Sequence, residues 1–164
     1  MIDLALRLSG QQASRGSAPW PGHEYAKGWG VFGLPFDSGH VLALRVFPES
    51  SFGPYRTVWH RTPGGRWSLY VDGPRLDAAC PRYYGPACDH IGFAGIHLAW
   101  TGPASLRVTM DSPSLQWTLS ARSTPVLAVV NAVSSALLSR AGARGRWCEA
   151  GNSWPALSGW AGCG

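Results

Sequence analysis

The sequence predicts a mainly β domain: an antiparallel meander of about seven short strands that curls into a barrel or half-barrel, followed by one helix. Three observations carry this expectation. In Thr57–Asp72, T-V-W-H-R-T-P-G-G-R-W-S-L-Y-V-D, two aromatic and β-branched runs flank the turn formers Thr62-Pro63-Gly64-Gly65, which is the sequence form of a hairpin. Further short apolar runs follow at regular spacing, separated by Gly, Pro, Asp and Ser. Charged residues make up only 14% of the 164 residues, against ~25% in ordinary domains, while Trp occurs nine times, which favours β structure.

Taken in order, residues 1–22 are rich in Ser, Gly, Gln and Pro and read as a flexible lead-in, with a helical turn in the apolar start around Ile2, Leu4 and Leu6. Residues 23–140 form the expected β-rich domain. Gly28–Phe36 holds three glycines and Pro35, so it reads as an edge or bulged strand. Asp37-Ser38-Gly39 turns into His40–Phe47, H-V-L-A-L-R-V-F, which is apolar on both faces, as a buried central strand is. The hairpin Tyr55–Arg61 and Arg66–Asp72 comes next. Gly73–His90 is the one long interruption, and a loop of that size inside a compact domain reads as functional or as a lid.

Beyond the loop, Ile91–Trp100, Ser105–Asp111 and Leu115–Arg122 read as strands. In the last two, Leu106, Val108 and Met110 oppose Arg107, Thr109 and Asp111, and Leu115, Trp117 and Leu119 oppose Gln116, Thr118 and Ser120. That alternation predicts one dry and one wet face. A helix is expected over about 124–140, with Thr124 as N-cap, Pro125 in its first turn and a stripe of Val126, Val130, Val133 and Leu137. The tail, residues 141–164, shows neither period. It reads as an irregular cap over a barrel end or as a non-native end, and the second reading is preferred.

Composition excludes some partners. The net charge of +5 comes from a single lysine, Lys27, and arginines scattered along the chain, with a cluster only at Arg140, Arg144 and Arg146. No recognised nucleic-acid module accompanies them, so nucleic-acid binding is not expected. No apolar run reaches the ~18 residues of a membrane span. The N-terminus lacks the pattern of a secretory signal, so the default location is the cytoplasm and the cysteines are expected to be free thiols. Cys80, Cys88, Cys148 and Cys163 form no C-x-x-C pair.

The chemistry-bearing residues converge on no reaction motif. His90 and His97, seven apart, would point to opposite faces of one strand, and His40 and His60 could meet only through tertiary structure. Neither a metal site nor a cofactor is expected. Gly28 to Gly33 spells G-x-G-x-x-G but opens no helix, so bulges are the better use of these glycines. His60, His90 and Tyr84 remain candidates for acid or base roles. His40, Trp59, Tyr70 and Tyr83 are the candidates to line a cavity for a small apolar ligand.

The runs G-L-P-F-D-S-G-H-V-L-A-L-R-V-F-P-E-S-S-F-G-P-Y, V-W-H-R-T-P-G-G-R-W-S-L-Y and C-P-R-Y-Y-G resemble uncharacterised actinobacterial proteins of a lipocalin-like type, over roughly Gly28 to Asn131. More remotely, the meander resembles one lobe of the lipocalin-like group that includes hydroxyneurosporene synthase and AttH. The resemblance implies a β-barrel fold, an apolar ligand and a missing second lobe. It carries over no catalytic residue. Three readings stand: a hydrophobic-ligand-binding barrel, an enzyme lobe acting on a lipid-like or polyketide-like substrate, and an interaction module that pairs through an open sheet edge, for example as a homodimer.

Overall fold

The computed structural model describes residues 3–77, 79–122, 124–126, 129–130 and 132–133. Residues 1–120 form one compact unit and 121–164 a second. The helix expected over about 124–140, for most of its length, and the whole tail 141–164 lie outside the described residues.

The first unit is mainly β, as expected, but its strands divide between two sheets and do not close into one barrel. It opens with α1 (Leu4–Ser9), capped by Asp3, whose carboxylate accepts from the Leu6 N–H at 2.8 Å. The six-stranded sheet contains β1 (Ser14–Arg15), β2 (Ala26–Pro35), β3 (Val41–Ser50), β4 (Tyr55–Arg61), β5 (Trp67–Asp72) and β6 (His90–Phe93). The three-stranded sheet is β7 (Ile96–Gly102), β8 (Ser105–Met110) and β9 (Leu115–Ser120).

The expected hairpin is β4–β5, with Trp59 opposite Leu69 and His60 opposite Ser68, and β3 pairs antiparallel along the other side of β4. Two expectations are corrected. The stretch 91–100 is not one strand: it breaks at Ala94-Gly95, so that β6 joins the large sheet and β7 starts the small one. The large sheet is also mixed, not a pure antiparallel meander, because β6 runs parallel to β5 and β1 parallel to β3. Parallel neighbours need a long crossover, and 73–89 provides it. This segment carries α2 (Ala79–Tyr84) and a 3-10 turn, Gly85–Ala87.

Strand alternation gives the large sheet two different buried faces. Leu42, Leu44, Val46, Val58 and Tyr70 point one way and meet Ile96, Leu106, Val108, Met110 and Trp117 of the small sheet in one core. On the polar side of the small sheet His97, Arg107, Gln116 and Thr118 are exposed, so its dry and wet faces match the sequence pattern. An ion pair fixes the junction. Arg56 and Asp72, opposite each other across β4 and β5, lie 3.5 Å apart. Arg56 Nη1 donates to the Ile96 carbonyl at 2.5 Å, and the Asp72 carboxylate accepts from the Ile96 N–H at 3.4 Å. The backbone at the start of β7 is thereby held at both its polar groups.

The opposite face of the large sheet carries Tyr55, Thr57, Leu69 and Val71, all buried, and α2 lies over it. Cys80 of α2 is buried there, with the Tyr55 hydroxyl donating to its sulfur at 3.9 Å. Burial, and then the Cys80 thiol, hold the Tyr55 hydroxyl above its ordinary pKa. Outside the sheet, Arg82 of α2 forms an ion pair with Glu24 and stands 5.9 Å from the Phe52 ring.

Two substitutions probe this packing. Leu44→Ala empties a site that is 1% exposed in the shared core, and is expected to lower unfolding free energy by about 2–5 kcal/mol in urea melts. Gly28→Ala places a methyl group against the Val46 carbonyl oxygen and the Phe47 Cα, backbone atoms that cannot swing aside. It is expected to cost about 1–3 kcal/mol. A neutral Gly28→Ala would contradict the β2–β3 register.

Candidate functional site

Among the described residues an open cleft of about 200 Å³ lies on the face of the large sheet that α2 covers, lined by Gly33, Ala43, Arg45, Trp59, Trp67 and Tyr84. Strand parity assembles it. Ala43 lies opposite Trp59 across β3 and β4, Arg45 lies opposite Thr57, and Trp67 lies opposite Arg61, so these side chains share one face. Trp59 meets Trp67 edge-on at 6.4 Å between ring centroids and meets Tyr84 at 5.3 Å. Tyr84 reaches the site from the last turn of α2.

A bulge in β2 completes the wall. Between Val31 and Leu34, two residues, Phe32 and Gly33, stand opposite the single Ala43. Gly33 takes φ +60°, a left-handed conformation that glycine adopts without strain. The bulge brings Phe32 over Arg45, with the guanidinium carbon 4.9 Å from its ring centroid.

Arg45 is the chemical centre of this cleft. Its guanidinium also lies 5.5 Å from the Trp59 ring and 5.7 Å from the Tyr84 ring, so three aromatic rings surround one cation. Its hydrogen bonding is poor. Nη1 donates to the Cys80 sulfur at 3.6 Å, a weak acceptor. Among the described residues no carboxylate pairs with Arg45, whereas Lys27, Arg56, Arg75 and Arg82 each have one. Among the described residues three buried side-chain polar atoms have no hydrogen-bond partner: Arg45 Nε, Thr57 Oγ1 and Trp59 Nε1. All three side chains lie on this face. An unmet buried donor costs about 1–3 kcal/mol, so three in one neighbourhood is an unusual concentration.

The residues singled out from sequence are divided by the sheet. Trp59 and Tyr84 lie together at the cleft. Tyr83, beside Tyr84 on α2, is 65% exposed and its hydroxyl donates to Glu24 at 3.4 Å. His40, His60, Tyr70 and His90 are on the other side. His40 and His60 do converge: His40 Nδ1 lies 2.8 Å from His60 Nε2 and the rings stack at 5.0 Å. His90 sits 5.6 Å from the Tyr70 ring. The neighbouring Asp89 does not orient it, since that carboxylate accepts from the Trp67 N–H at 2.7 Å. His97 pairs with Asp111 at 3.2 Å on the small sheet. Among the described residues no group of three His, Cys, Asp or Glu side chains converges as a metal site would require. Cys80 and Cys88 are free thiols. Among the described residues no helix is long and apolar enough to cross a membrane.

Sequence reasoning missed Arg45, Trp67, Gly33 and Ala43 as members of this site. Arg45 carried a readable signal. It is the one charged side chain in H-V-L-A-L-R-V-F, a strand apolar on both faces, and a charge in such a strand must be solvated by something other than water. Comparison with protein families, curated proteins and solved structures finds no match to this chain.

The histidine pair makes stability depend on pH. Burial, and then the neighbouring His40, hold His60 below its ordinary value of 6.5. Between the folded and unfolded values the unfolded chain binds more protons, so stability rises with pH through that window. The contribution is complete above the unfolded value and is lost as pH falls through the folded one. Urea midpoints at about pH 5 and about pH 7.5 should therefore differ less in His60→Gln than in the parent chain. An unchanged difference would show that His60 does not titrate below its ordinary value.

Proposed function

We propose that this chain binds a small molecule with a flat apolar body in the cleft walled by Trp59, Trp67 and Tyr84. The observation that supports this reading best is that aromatic clustering: three rings border a concave space of about 200 Å³ instead of packing it shut. Flat aromatic walls offer large contact area at low entropic cost to a planar ligand. The reading keeps the apolar ligand class implied by the lipocalin-like resemblance, and kinship with that group and a half-barrel curvature of the large sheet belong to the same proposal. It places the ligand on the α2-covered face of that sheet.

A catalytic role draws less support. His60 lies on the opposite face of β4 from Trp59 and Tyr84, and His90 is two strands away from His60 across β5. These three groups do not surround one reacting atom. A pairing role through a free edge of the large sheet is also less favoured, because β2 is broken by two register shifts and β6 spans only His90–Phe93.

Titration with 2-naphthamide, a neutral planar probe, should quench intrinsic Trp fluorescence saturably, and Trp59→Ala should weaken binding by about tenfold through loss of the ring contact. Saturable quenching that survives Trp59→Ala unchanged would place the binding elsewhere and contradict the proposal.

A further inference from the structure

We infer that the ligand of the aromatic cleft is an organic anion, and that Arg45 receives its carboxylate or an equivalent oxyanion. This rests on the cleft reading above and adds its electrostatic class.

The argument begins with what the chain leaves unmet. Arg45 is a permanent cation, since a guanidinium does not lose its proton in proteins. Three rings shield it at 4.9–5.7 Å, and ring faces are sequence-neutral partners that attract a cation without satisfying its N–H donors. Among the described residues its guanidinium donates only to a thiol sulfur. Its Nε–H is buried and lacks a partner, and so is the Nε1–H of Trp59, which borders the same cleft. Thr57, 0% exposed and directly opposite Arg45 across the strands, adds a third unmet group in its hydroxyl.

The chemistry of this set is directional. Arg45 Nε and Trp59 Nε1 are donors only, and the Thr57 hydroxyl donates or accepts. A cation with neighbouring N–H donors calls for an acceptor-rich, negatively charged group. An oxyanion on a planar apolar body meets both demands: its charge beside the Arg45 guanidinium, and its ring system against Trp59, Trp67 and Tyr84. A neutral apolar ligand would meet only the second, leaving the guanidinium further desolvated without compensation. A cationic ligand would face Arg45 directly and be repelled.

The alternative is that Arg45 is a strut, holding α2 against the sheet through Tyr84 and Cys80. A strut needs no anion, so ligand charge separates the two. The experiment compares 2-naphthoate with 2-naphthamide, which share shape and differ in charge, by calorimetry on the full chain at moderate salt. The parent chain is expected to bind 2-naphthoate about tenfold or more tightly than 2-naphthamide. Arg45→Met, which keeps the stem length, should bring the two affinities to within about twofold. Arg107→Met, on the exposed face of β8, removes the same charge far from the cleft and should keep the preference.

Equal affinity for the two probes in the parent chain overturns the inference and leaves the apolar cleft standing. So does a preference that persists in Arg45→Met. Absence of saturable binding for both probes overturns the cleft reading itself. If Arg45→Met does not fold, the parent-chain comparison still decides, supported by competition: benzoate should displace 2-naphthoate and benzamide should not, and equal displacement by both counts against the anion.

Discussion

The two-residue period of the strands β3, β4 and β5 is the constraint on which the rest of the structure depends. Each of these strands is buried on both sides, so alternate residues enter environments that do not communicate through side chains. Leu42, Leu44, Val58 and Tyr70 meet the small sheet, while Tyr55, Thr57, Leu69 and Val71 lie on the face that α2 covers. A register slip of one residue would exchange the two sets and bring Arg45 into the apolar core. The aromatic cleft and the histidine pair are both consequences of this division. Trp59 and His60 are neighbours in sequence and belong to different sites.

Each face then has its own way of handling polar groups. On the core side, Arg56 and Asp72 pair with each other and with the backbone of Ile96, so a charged pair at the sheet junction has well-placed partners and fixes where β7 departs. On the α2 side, Arg45 has rings and a thiol. The contrast between two arginines of adjacent strands is the physical basis for treating one as architecture and the other as a binding group. Burial alone does not separate them. The identity of their acceptors does.

Much of the fold was legible. The strand at Tyr55–Arg61, the bulged character of Gly28–Phe36, and the dry and wet faces of Ser105–Met110 and Leu115–Ser120 follow from residue type and period, which act locally. What the period cannot report is a strand's partner. The run 91–100 is uniformly strand-like, so its break at Ala94-Gly95 and its division between two sheets come from tertiary pairing. The parallel docking of His90–Phe93 beside β5 likewise depends on the long crossover, in which Cys80 is drawn under the sheet by burial. The candidate site was half legible for the same reason. Trp59 and Tyr84 stood out as aromatics, but their association needed α2 to fold over the sheet. Among many scattered arginines Arg45 does not stand out by composition, although its place in an otherwise apolar strand marks it.

The central claim is that the ligand site lies on the α2-covered face of the large sheet and not between the two sheets. The indole N–H signals of the nine tryptophans test it directly. In a ¹H–¹⁵N spectrum titrated with 2-naphthoate, the account predicts that the assigned Trp59 and Trp67 indole signals shift saturably, Trp59 the more. The signals of Trp29, Trp100 and Trp117, which lie in or against the core between the sheets, should stay in place. Shifts concentrated on Trp29, Trp100 and Trp117, with Trp59 unmoved, would contradict it.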